Sequence, residues 1–111
     1  MSRFARQRDA NEPEIVRAFV ARGATVTKLN APGCPDLLVG YRGVTLLVEV
    51  KRDERTTRGT RTDERGLLVT QQRWWAVWMG RAPAICRSES DVRVILGDID
   101  AELDGAVDYT R

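Results

Sequence analysis

The stretch PDLLVGYRGVTLLVEVKR, residues 35–52, constrains this chain more than any other segment. Val44, Leu46, Val48 and Val50 alternate with Thr45, Leu47, Glu49 and Lys51, the period-two pattern of a β-strand. Arg42-Gly43 supplies a two-residue turn back from a first strand that ends at Tyr41. With that turn Tyr41 pairs with Val44, and Asp36 falls opposite Glu49. Residues opposite one another share a face, with Cβ atoms roughly 4.5–5.5 Å apart. Leu37, Val39 and Tyr41 then join the apolar face of the partner strand, while Asp36, Glu49 and Lys51 gather on the other. A slip of one residue would exchange the faces, so the pattern specifies its own register.

Two carboxylates brought this close repel unless a cation lies between them. Asp36 and Glu49 offer hard oxygen ligands, which suit Mg²⁺ or Mn²⁺. A bound divalent ion lowers the pKa of its water, and Lys51 stands beside it to orient that water or to steady charge developing on a phosphate. The plainer alternative is a surface ion pair worth under about 1 kcal/mol. Leu38 and Leu47 lie on the same face, which argues against full exposure. The chain contains no histidine. A Ser-His-Asp triad, a Cys-His pair and a His-based zinc site are therefore excluded, and hydrolytic chemistry has to rest on carboxylates, lysine and a hard metal ion.

The surrounding elements follow from local signals. Asn11, Pro13 and Glu14 predict the start of a helix over 11–22, with Asn11 as N-cap and Glu14 completing a capping box. Ile15, Val16, Phe19 and Val20 form its apolar face, and Gly23 ends it. Residues 24–30 suit a strand. Residues 53–66 carry no apolar side chain and read as a mobile loop. Residues 70–80 predict a helix whose Trp74, Trp75 and Trp78 share a face expected to lie in the core, in preference to stacking on bases. Residues 83–87 suggest a last strand, and 88–97 a short helix capped by Ser88 or Ser90. The order is αβββαβα, an α/β sandwich around a mixed sheet. Residues 1–10 are expected to be a flexible N-terminus, 11–97 one folded domain, and 98–111 an acidic tail.

Charge is unevenly spread. Residues 1–87 hold 16 Lys/Arg against 9 Asp/Glu, and residues 88–111 hold 2 against 7. A basic body suits a polyanionic partner, although ordinary surface charge gives a similar imbalance. No apolar run reaches the roughly 18 residues of a membrane span, and the N-terminal segment lacks the apolar centre of a signal peptide. Cys34 and Cys86 form no CxxC or zinc pattern and suit a reducing compartment. A cytoplasmic protein with free thiols is expected.

Pro35-Asp36, twelve intervening residues, then Glu49-Val50-Lys51 resemble the PD-(D/E)XK nuclease motif. With the flanking helices and polar loop, residues 11–97 are similar to small stand-alone VRR-NUC proteins and to Holliday junction resolvases. The resemblance implies a restriction-endonuclease-like fold and a Mg²⁺- or Mn²⁺-dependent phosphodiesterase. Asp36, Glu49 and the Val50 carbonyl would hold the ion, and Lys51 would be the catalytic lysine. Relatives often add a glutamate from the first helix. At 100° per residue Glu12 lies at the centre of the apolar face and Glu14 opposite it, which favours Glu12 for the site and Glu14 for the cap. A charge drawn to the helix dipole is the alternative for Glu12. Gln71, on the tryptophan face, corresponds to a glutamine that relatives carry in the next helix; the proline turn expected before it is missing. Arg52, Arg55, Arg58, Arg61 and Arg65 would contact DNA phosphates, or else belong to a solvated linker. Arg3, Arg6 and Arg8 raise the same choice. Branched or junction DNA as substrate and a homodimeric state come from the resemblance alone. DNA ends, flaps or a specific duplex site are the alternative substrates, and an inactive DNA-binding module on the same fold is the alternative class.

Overall fold

The computed structural model describes residues 8–52 and 62–108, with backbone alone at 106–108. The elements run α1 (Glu12–Ala21), β1 (Thr25–Lys28), β2 (Leu37–Tyr41), β3 (Val44–Val50), α2 (Val69–Val77), β4 (Ala84–Cys86) and α3 (Glu89–Asp108). This is an α/β fold with three helices and a four-stranded mixed sheet ordered β1-β2-β3-β4. The first three strands are antiparallel neighbours, and β4 joins β3 in parallel.

The register expected for the hairpin is the one observed. Tyr41 pairs with Val44 and Leu37 with Val48. Arg42 has φ 51° and Gly43 φ 81°, so both turn residues are left-handed, as a type I′ turn requires. Arg42 bears the cost of that conformation and gains ion pairs from it. Its guanidinium donates to Asp100 at 2.7 Å and to Asp104 at 3.4 Å, and the Tyr41 hydroxyl donates to Asp100 at 2.9 Å.

These contacts tie the hairpin to α3. The Arg42 guanidinium, and then the Tyr41 hydroxyl, hold the Asp100 carboxyl below its ordinary range. A depressed folded-state pKa stabilises the fold above the unfolded value of about 4, and that stabilisation is lost as pH falls through the folded-state value. Wild type should therefore melt slightly above Asp100→Asn at neutral pH, with the two curves converging as pH falls through the folded-state value. Calorimetry across that range checks it, and a difference that does not change with pH counts against the ionic contact.

The core lies between one face of the sheet and the pair α1 and α3. Ile15, Ala18 and Phe19 of α1 meet Leu37, Val39, Leu46, Val48 and Val50 of the hairpin, together with Cys86, Val92, Leu96 and Ile99. Burial pushes the Cys86 thiol up to about 12, which leaves it a packing group and not a nucleophile. The buried face of α1 centres on Glu12, Ile15, Ala18 and Phe19, while Val20 is exposed.

Three expectations are corrected. The stretch read as an acidic tail is helix through Asp108, because Val92, Leu96, Ile99 and Leu103 continue one apolar stripe through the acidic residues. Acidic composition alone does not mark a tail when apolar residues recur at helical spacing within it. The tryptophan stripe is not core, since no residue of α2 is buried. Trp74 and Trp78 stack on each other with centroids 4.8 Å apart, and Trp78 donates its indole N–H to the Arg81 carbonyl. Trp75 lies beneath the Arg65 guanidinium, so the rings pack on each other and on a cation and not into the core. Finally, Asn11 makes no side-chain cap and Glu14 is exposed, so the capping box does not form. The Asn11 amide is engaged across the fold instead. Of the two serines weighed for α3, Ser88 precedes the helix, and its carbonyl accepts from Asp91 and Val92. Most of the predicted polar loop, 53–61, lies outside the described residues. Residues 62–66 form a turn around Asp63, whose carboxylate accepts from the backbone of Arg65 and Leu67.

Candidate metal and phosphate site

Asp36 stands one residue before β2, and its Oδ2 accepts the Val50 N–H at 2.8 Å. That bond spans the end of the hairpin and holds the aspartate against the partner strand beside Glu49. Both carboxylates are buried, Glu49 to 1% exposure. Val50 thus meets Asp36 through its N–H.

Gln71 connects the remaining parts. Its Nε2 donates to Glu49 Oε2 at 2.9 Å, and its Oε1 accepts from Lys51 Nζ and from the Leu68 N–H, each at 2.8 Å. Lys51 Nζ also lies 3.5 Å from Glu49 Oε2. The start of α2, which the sequence left open, is therefore set at Val69 by a glutamine that closes the helix end and orients both site residues. Gly33 lets α2 come close. A Cβ there would meet the Thr70 carbonyl oxygen at 2.9 Å, and its φ of 76° is glycine's own region.

Asp36, Glu49, Lys51 and Gln71 line one cleft of about 440 Å³ with Asp9, Asn30, Gly33 and Thr70. Asp9 is half-buried there. Burial, and then the nearby Asp36 charge, raise its pKa, against the lowering effect of Arg52 and Lys51.

Glu12 is 1% exposed at the start of α1. Its Oε1 accepts from Arg8 Nη1 at 3.2 Å, and Lys28 Nζ lies 3.8 Å from its Oε2. It does not line the cleft. Among the described residues no three Asp, Glu, Cys or His side chains lie close enough to form a metal-binding group. Two carboxylates are enough for a hard cation that keeps most of its waters, so the all-oxygen pair of Asp36 and Glu49 fits Mg²⁺ or Mn²⁺.

The predicted arginines divide. Arg52 is exposed, with its Nε 3.5 Å from Asp9 Oδ1. Arg65 pairs with Asp63 at 2.8 Å and lies over the Trp75 ring. Arg55, Arg58 and Arg61, like Arg3 and Arg6, lie outside the described residues.

Sequence reasoning missed three groups that shape this end of the sheet. Asn11 Nδ2 donates to the carbonyls of Lys51 and Arg87, at 3.1 and 2.9 Å, and so clamps the ends of β3 and β4. Arg87 donates to the carbonyls of Arg52 and Arg65, on either side of the polar segment. Lys28 reaches Glu12 from β1. Each is a contact between distant parts of the chain with no local spacing to mark it.

Compared with known proteins, the chain matches no family model, no curated protein and no solved structure. No described helix is long and apolar enough to cross a membrane.

Proposed function

We propose that this protein is a divalent-metal-dependent endodeoxyribonuclease with a restriction-endonuclease-like fold. The observation that carries the proposal is the convergence of buried Asp36 and Glu49 with Lys51 and Gln71 around one open cleft. Buried carboxylates cost stability, and such clusters concentrate where chemistry needs them. Asp36, Glu49 and the Val50 carbonyl would hold Mg²⁺ or Mn²⁺, which when bound supplies a water of lowered pKa and neutralises phosphate charge.

The chain's own residues do the rest. The Val50 N–H fixes one oxygen of Asp36. The Gln71 amide fixes Glu49 and Lys51 relative to each other. Lys51 lines the cleft and would bind a phosphate oxygen and orient the attacking water. Exposed Arg52 stands at the same end of the sheet, where it would contact the DNA backbone. Branched or junction DNA as substrate, a homodimeric state and a cytoplasmic location extend the proposal and rest on the sequence resemblance.

Purified protein should cut labelled DNA with Mn²⁺ or Mg²⁺ and leave it intact with EDTA. Four-way junctions, flaps, nicked duplexes and linear duplexes at equal concentration rank the substrates, and light scattering reports the oligomer. Tight DNA binding with no metal-dependent cleavage of any of the four would replace the nuclease reading with that of a binding module.

A further inference from the structure

The geometry points to Arg8 as a resident cation of this site: its guanidinium lies between Glu12 and Asp36, where an ion bridging those two carboxylates would have to sit, so that one divalent ion binds per chain. The inference rests on the reading of Asp36 and Glu49 as the metal-holding pair.

Three buried acidic side chains, Glu12, Asp36 and Glu49, stand at this end of the sheet, with Asp9 half-buried beside them. Arg8 lies between Glu12 and Asp36. Its Nη1 is 3.2 Å from Glu12 Oε1 and 3.7 Å from Asp36 Oδ1. The same guanidinium donates to the carbonyls of Asp36 and Leu29, where the Leu29 N–H also donates to the Asp36 carbonyl. Arg8 is therefore seated by backbone groups from both sides of the β1–β2 connection as well as by Glu12. A guanidinium stays charged throughout the accessible pH range, so this positive charge is permanent.

The arrangement assigns different work to the carboxylates. Asp36 and Glu49 face the cleft. Glu12 has a cation at each oxygen, Arg8 at one and Lys28 at the other. Its contribution passes through Arg8 to Asp36, which makes Glu12 a positioning residue and not a metal ligand. A second divalent ion between Glu12 and Asp36 would meet the guanidinium at contact distance, and like charges at that range exclude each other.

Manganese binding to the full chain, followed by electron paramagnetic resonance and calorimetry, separates the possibilities. Wild type should bind one Mn²⁺. Glu12→Gln should also bind one, with affinity within about 3-fold of wild type. Arg8→Gln should bind two, while Arg8→Lys, which keeps a charge there, should stay at one. Circular dichroism identifies any variant that fails to fold, and the Glu12→Gln measurement remains decisive if Arg8→Gln does. Two ions in wild type overturn the inference and leave the metal site standing. So does a loss of tenfold or more in Glu12→Gln, or a folded Arg8→Gln that stays at one ion. No Mn²⁺ binding to wild type removes the metal site itself, and the inference with it.

Discussion

Glu49→Gln should abolish metal-dependent cleavage, by at least about 10³-fold, while the protein stays folded. The substitution keeps the shape of the side chain and removes its charge. It takes away one of the two buried carboxylates at the cleft and the anionic partner of Lys51 Nζ, 3.5 Å away. The effect on folding should be small. A carboxylate with 1% exposure has given up nearly all its hydration, so neutralising it relieves a desolvation cost as it removes an attraction. Gln71 still joins Lys51 to the start of α2. Cleavage rate and melting temperature, measured together, check both halves. Lys51→Ala should likewise be folded and slower by about 10²-fold or more. A Glu49→Gln protein that cuts at the wild-type rate would sink the proposed mechanism.

The largest stability effect is expected from Phe19→Ala, at about 3–5 kcal/mol. Phe19 is fully buried among the core residues shared by α1, the hairpin and α3. Its carbonyl also accepts from the N–H groups of Arg22 and Ala24, so the helix end is built around it. This core occupies one face of the sheet, and α2 has no buried residue with which to make up a loss on the other. Domains of this size are stable by only about 5–15 kcal/mol, so one ring removes a large share. A fall of more than about 10 °C in melting temperature follows, and urea unfolding gives the free energy directly. A loss below about 1 kcal/mol would mean that the core closes over the gap.

The hairpin was the most legible part of the chain. A period-two pattern tolerates no slip, and the Arg42-Gly43 turn set the pairing that the structure shows. The choice of Glu12 over Glu14 also held as a statement of place. A rotation of 100° per residue puts Glu12 on the buried face, and Glu14 is exposed. What failed needed knowledge of packing partners. The α2 tryptophans have helical spacing, but spacing does not say how much sheet lies beneath a helix. Asn11 has a preferred cap residue's side chain, yet two carbonyls from distant strands hold it. Arg8 read as one of three basic residues in a loose terminus, and its acceptors lie on α1, on β1's far end and beside β2. Ion pairs of this kind depend on the finished topology, and no local pattern announces them.

The parallel pairing of β4 with β3 has a consequence for the order in which the site becomes complete. Asp36 and Glu49 are joined by a short local excursion, and antiparallel neighbours close quickly. The Lys51 N–H bonds instead to Cys86, far along the chain, and its carbonyl to Asn11 near the beginning. Its backbone thus belongs to the seam between the early hairpin and the late strand. Local opening of that seam would release the Lys51 backbone while the two carboxylates stay together. Hydrogen exchange at Lys51 should accordingly run faster than at Val48. The carboxylate pair would then persist in partly opened molecules whose Lys51 backbone has lost its late-strand partner.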